Sequence, residues 1–217
     1  MKNILDFLYL GECSITKDNA QGLVEASCHL SLENLKNECE PFMMSQIDYQ
    51  NCVEMIRFGR LHQFKNLIAA GTCFIVKNFH NFLMKSDTFQ QLSEEELTEL
   101  ISHDELNSSH EDLVFEVVKR WIKAEFSERK ERFPIIAKHI RLPFCSKNVL
   151  AHLLYAEPLM RLPEAESLSR RVSLALAHPN LQAEFDFPWS LPRLNSSNPQ
   201  TTLHYFSVVA IHGCLFS

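Results

Sequence analysis

Four places in this chain bring together side chains that can do chemistry. His103, Asp104 and Glu105 are consecutive; His110, Glu111 and Asp112 form a second run; Cys28 precedes His29; His139 adjoins Ile140. An imidazole beside a carboxylate suits general acid–base work, and a thiol beside an imidazole suits nucleophilic attack. The spacing argues against both. Residues one apart on a helix do not face each other. The first run reads as a turn between two helices. The second reads as a helix start, where capping accounts for its residues. Cys28 reads as a buried thiol beside a turn histidine, and His139 as a packing or surface residue. No H-E-x-x-H, nucleophile elbow, phosphate-cradling glycine loop or ligand-spaced group of His, Cys and carboxylates occurs. The expectation is a chain that is not an enzyme and uses no cofactor, metal or small molecule.

Composition points the same way. The chain has 217 residues, 46% of them hydrophobic, with 16 Phe and only 5 Gly. That is ample material for one core or two small ones. A net charge of -6 argues against a nucleic-acid partner, because phosphate contacts need a concentrated basic face. The seven Cys are scattered with no C-x-x-C pair. They read as reduced core thiols of an intracellular protein, Cys73 beside Phe74 and Ile75 among them, rather than a disulfide framework. The location expected is the cytoplasm, with the nucleus also open. No signal peptide or membrane span is legible, since the apolar tail 203–216 holds His204 and His212 and is shorter than the roughly 20 apolar residues a span needs.

The fold class expected is all-α, as stacked helical hairpins. Ile4, Leu5, Phe7, Leu8 and Leu10 predict a short apolar helix closed by Gly11. Glu12–Thr16 alternates like a brief strand. Asp18 or Asn19 is positioned to cap a helix carrying Leu23 and Val24, and a further helix holds Leu32, Leu35 and Cys39. These elements are short, and short helices need tertiary packing to persist. Residues 1–44 are therefore read as the helical back end of a domain whose front half is absent. Leu5, Leu8, Leu23 and Leu35 are expected to form an exposed apolar patch.

From Asp48 to Pro158 the pattern lengthens. Val53, Ile56 and Phe58 mark one helix, Phe64, Leu67, Ile68, Cys73 and Phe74 a second, and 78–84 a third. Ser93 with Glu96 is a capping box before Leu97, Leu100 and Ile101, and Ser108 with Glu111 is a second such pair. Val114, Val117, Val118, Trp121 and Ile122 form the clearest apolar stripe, at i, i+3, i+4, i+7 and i+8. Phe133, Ile135, Ile136 and Ile140 predict another helical face, stopping before Pro143. Ser146 caps a helix with Val149, Leu150, Leu153 and Leu154. Ala165–Leu176 is expected to be one more helix, Pro179–Gln200 irregular or disordered, and Thr201–Ser217 an orphaned strand.

Charge is segregated. Residues 93–116 hold nine Asp or Glu and no Lys or Arg, whereas residues 119–141 hold eight basic residues against three Glu. The plain reading is solvated faces with some pairing between helices. The sharper one is a partner surface steered by charge.

Several segments resemble a known family. Ile4-Leu5-Asp6-Phe7-Leu8-Tyr9-Leu10-Gly11 is similar to the helix and turn near the end of a BTB (POZ) domain, and Asn19 to Leu35 resembles its following helical pair. Cys39, Phe42 and Asp48-x-x-Asn51-Cys52 resemble the junction into a BACK domain. Asn78-Phe79, Phe89, Leu92, Ser93, then Asp104-Glu105-Leu106-Asn107 with Glu111, Val114, Phe115 and Trp121, and Arg141-Leu142-Pro143 before Leu150, resemble successive BACK signatures. The resemblance covers residues 1–159 and points to the kelch-like group. It implies a BTB remnant at 1–44, a BACK domain at 45–160 and a degenerate or disordered tail at 161–217, with neither the BTB front half nor a kelch propeller.

It also implies a function. Kelch-like proteins are typically substrate adaptors of cullin-3 RING ubiquitin ligases, and the first BACK helices add cullin contacts. Asp48, Asn51, Glu54, Arg57, His62 and Lys65 would lie on the docking side of that helical pair. Phe58, Phe64, Val114, Val117, Val118, Trp121 and Ile122 would fill the core. The partners implied are cullin-3 and, through weak dimerisation, BTB–BACK relatives. The alternative is a structural or regulatory binding module that no longer holds a cullin and competes with full-length relatives.

Overall fold

The computed structural model describes residues 2–108, 110–161 and 165–177. The expectations for Pro179–Gln200 and Thr201–Ser217, and Cys214 with them, lie outside the described residues. Among the described residues the chain is helical, with no strand. No single helix there is long and apolar enough to cross a membrane. The chain divides into two compact units, residues 1–75 and 76–217.

The first unit holds α1 (Lys2–Leu10), α2 (Ala20–Leu30), α3 (Glu33–Ser45), α4 (Cys52–His62) and most of α5 (Lys65–Lys77). Gly11 closes α1 at φ 76, with its N–H donating to the Phe7 carbonyl at 2.9 Å, as its position predicts. The strand expected at Glu12–Thr16 is absent. That segment instead packs Cys13 and Ile15 onto the core. Asn19 is the reason it stays irregular. Its Oδ1 accepts from the Thr16 N–H and its Nδ2 donates to the Ser14 carbonyl, both at 2.8 Å. So engaged, Asn19 makes no side-chain cap on α2, contrary to the sequence reading.

The core of this unit joins Leu23, Val24, Leu35, Cys39 and Met43 to Phe64 and Leu67 of the α5 region. The expected exposed patch is therefore only half present. Leu23 and Leu35 are 4% and 0% exposed, whereas Leu5 and Leu8 are 46% and 54% exposed. α1 buries Ile4 and Phe7 against the core and leaves its other side open.

The second unit runs through α6 (Phe79–Lys85), a 3-10 turn at Thr88–Gln91, α7 (Glu94–Ser102), α8 (Glu111–Ala124), α9 (Phe126–Arg129), α10 (Phe133–Ile136), α11 (Lys147–Tyr155) and α12 (Glu166–Ala177). The Ser93–Glu96 box forms with both of its hydrogen bonds, and Ser146 caps α11 by accepting from the Val149 N–H. Val114, Val117, Val118, Trp121 and Ile122 are all buried. Trp121 donates from Nε1 to the Leu92 carbonyl at 2.8 Å. The Arg129 guanidinium lies 4.0 Å from its ring centroid and donates to the carbonyls of Trp121 and Gln90. The aromatic is thus anchored at its edge and covered on its face.

Two expectations fail in this unit. Ser108 and Glu111 form no capping box, because α8 begins at Glu111 with His110 as its cap residue. Glu111 is 5% exposed and accepts from the Arg141 N–H at 2.8 Å, while Asp112 accepts from the Ser146 N–H at 2.7 Å. Two acidic residues at the helix start thus tether a loop thirty or more positions away. The face drawn from Phe133 to Ile140 is not one helix. It breaks into α10 and 3-10 turns, so Phe133 and Ile136 are buried while Ile135 is 44% exposed. The acidic and basic stretches do pair, through Arg132–Glu94 at 3.4 Å and the nearly buried Arg141 with Asp104.

Candidate protein-binding surface

The helical pair α4–α5 is the surface singled out by the sequence. It is built on two glycines. A Cβ on Gly71 would stand 2.6 Å from Ile56 Cγ1, and one on Gly59 would stand 2.9 Å from Ile68 Cγ1. Each glycine opens the space that an isoleucine of the other helix fills, so the two backbones approach closely. Gln63 makes the turn between them in the left-handed region, at φ 61.

The six candidate contact residues divide by role. Asp48 and Asn51 build the entry to α4. Asp48 Oδ1 accepts from the N–H groups of Gln50 and Asn51 at 2.9 and 3.0 Å, and Asn51 Oδ1 accepts in return from the Asp48 N–H at 2.8 Å. Asn51 Nδ2 also donates to the Gln46 carbonyl. His62 is half-buried, 4.3 Å from the Phe58 ring centroid, and its Nε2 is buried without a hydrogen-bond partner. Glu54, Arg57 and Lys65 are exposed. Phe58 is only partly buried, on the rim of the core, and Phe64 is 3% exposed.

Glu54 and Arg57 share their helix face with a residue the sequence reading passed over. Leu61, at i+7 from Glu54 and i+4 from Arg57, is 75% exposed. The signal was available: Cys52, Val53, Ile56 and Gly59 define the buried side, and Leu61 falls on the opposite one. The outward face of α4 thus carries an acid, a base and an apolar side chain in one row.

The thiols do not behave as one class. Cys39, Cys52 and Cys145 are buried, but Cys28 and Cys73, expected in the core, are exposed. Cys28 Sγ lies 3.6 Å from Nδ1 of His62 rather than beside a base at His29. Burial, with Cys13 next in effect, pushes the Cys39 thiol up to about 11. Burial likewise raises Cys52 to about 11 against the pull of main-chain N–H groups. Both are neutral packing groups at ordinary pH. Among the described residues no group of three or more His, Cys, Asp or Glu is placed to hold a metal ion.

Comparison with known families gives two adjacent matches. Residues 1–47 match the model described as "BTB/POZ domain", and residues 52–155 match the one described as "BACK: BTB And C-terminal Kelch". α1 to α3 thus fall in the first match, and α4 to α11 in the second. BTB and BACK domains are non-catalytic protein-binding scaffolds. With a BTB region at 1–47 followed by a BACK domain at 52–155, this chain belongs to the BTB–BACK proteins.

Proposed function

We propose that the chain is an adaptor-type, kelch-like scaffold of a cullin-3 RING ubiquitin ligase, docking the cullin through the outward face of α4–α5. The carrying observation is the row Glu54, Arg57 and Leu61, exposed on a helix whose other side is pinned to α5 by Gly59 and Gly71. A rigid helix face with an apolar anchor beside opposite charges suits a protein partner, because little ordering is needed on binding. Lys65 is exposed at the start of α5; Asp48, Asn51 and His62 hold the pair in shape. The free thiols suit a cytoplasmic or nuclear location.

The second reading is a regulatory binding module that competes with full-length relatives. The open side of α1, with Leu5, Leu8 and Tyr9 exposed, favours it, since such a face suits weak association with a BTB–BACK relative. Calorimetry against a cullin-3 amino-terminal domain separates the two. The adaptor reading expects binding that weakens at least tenfold when Arg57→Glu and Leu61→Ala are combined. No heat of binding at about 100 μM, an affinity of about -5.5 kcal/mol, from folded protein would leave the module reading standing.

A further inference from the structure

A polar pocket opens where α5 ends and α6 begins, lined by Lys77, Asn78, His80, Asn81 and Asn107. We propose that it binds a peptide carboxylate. Every lining residue offers N–H donors, and none carries a carboxylate, in a chain whose net charge is -6. The carbonyls at the end of α5 would ordinarily repel an anion there. Here two of them are occupied: the Asn107 N–H donates to the Val76 carbonyl at 2.9 Å, and Asn107 Nδ2 donates to the Lys77 carbonyl at 3.0 Å. The exposed Lys77 supplies the charge. Side-chain amides pair with both the N–H and the C=O of a peptide backbone, which suits a peptide better than a free ion. A volume of about 290 Å³ sits at the small end of ligand pockets and admits one or two side chains, not a helix. The pocket shares no residue with the outward row of α4, so it stands whether or not a cullin binds.

The carboxylate can come from an acidic side chain or from a chain terminus, and three capped glycine pentapeptides distinguish the sources. One carries a central Glu with an amidated end, one a central Gln with an amidated end, and one has only glycine and a free carboxyl end. Each is titrated into the ¹⁵N-labelled full chain, following amide signals of Asn78, Asn81 and Asn107. The expected result is saturable shifts with the Glu peptide, the free-ended peptide, or both, and whichever responds names the source. In Lys77→Met the affinity drops at least fivefold while the remaining spectrum is unchanged, and Asn81→Ala weakens binding as well. Equal shifts with the Gln peptide, unaltered affinity in both variants, or no shift with any peptide at millimolar concentration would overturn the proposal.

Discussion

Glu40, on α3, accepts from the main-chain N–H of Leu67 at 3.1 Å, and the same carboxylate takes the Asn66 N–H at 3.0 Å. A residue of the BTB match thereby satisfies the start of the second BACK helix. The N–H groups of a first helical turn have no partner within the helix, and the dipole there favours a negative charge. Replacing Glu40 with Ala is expected to cost about 1–2 kcal/mol, in line with loss of a helix cap. Denaturant unfolding of the full chain measures it. An unchanged midpoint would show that water replaces this carboxylate without loss.

Gly71 is expected to resist substitution more than Gly59. Alanine at either site gains up to about 1 kcal/mol of helix propensity. At Gly71 the new methyl meets the stiff, β-branched Ile56 at 2.6 Å, and overpacking of this kind costs about 1–3 kcal/mol. Gly71→Ala should therefore destabilise, while Gly59→Ala, at 2.9 Å, should be closer to neutral. Thermal unfolding of the two variants orders them, and the reverse order would disprove the close approach of α4 and α5.

Trp121 should be the costliest side chain to truncate in the second unit. Trp121→Ala removes a 2% exposed indole, and such changes cost about 3–5 kcal/mol. Trp121→Phe keeps most of the volume but leaves the Leu92 carbonyl without its donor, a loss of about 1–3 kcal/mol. Chemical denaturation followed by circular dichroism checks both, and a Phe variant as stable as the parent would remove the hydrogen bond from the account.

His139 makes the second unit sensitive to acid. Burial first, then Lys138 and Arg171, hold its imidazole below the ordinary value of 6.5, with Nδ1 2.8 Å from Ser102 Oγ. The unfolded chain therefore binds the proton more readily. Stability is full above pH 6.5 and falls as the pH drops below it toward the folded value. Unfolding midpoints between pH 7.5 and 5 should decline in the parent and decline less in His139→Gln. Parallel declines would assign the acid sensitivity elsewhere.

What could be read from the sequence was what a few consecutive turns decide. The α8 stripe from Val114 to Ile122, the Ser93–Glu96 box, the Ser146 cap and the Gly11 stop each depend on residues within two helical turns. Their physics is local periodicity and satisfaction of helix-end N–H and C=O groups. The outward position of Glu54 and Arg57 follows from the same period. Tertiary structure decided which partner claimed each side chain. Glu111 left its expected box for the Arg141 N–H, Asn19 bound the loop before it, and Cys28 met His62 instead of sitting beside a base at His29. Leu23 and Leu35 were shielded by Phe64 and Leu67, residues some thirty positions or more downstream. A short-range pattern fixes which side of a helix is apolar, but the element that covers that side is chosen by long-range packing, where contacts must offset the entropy of closing the intervening chain.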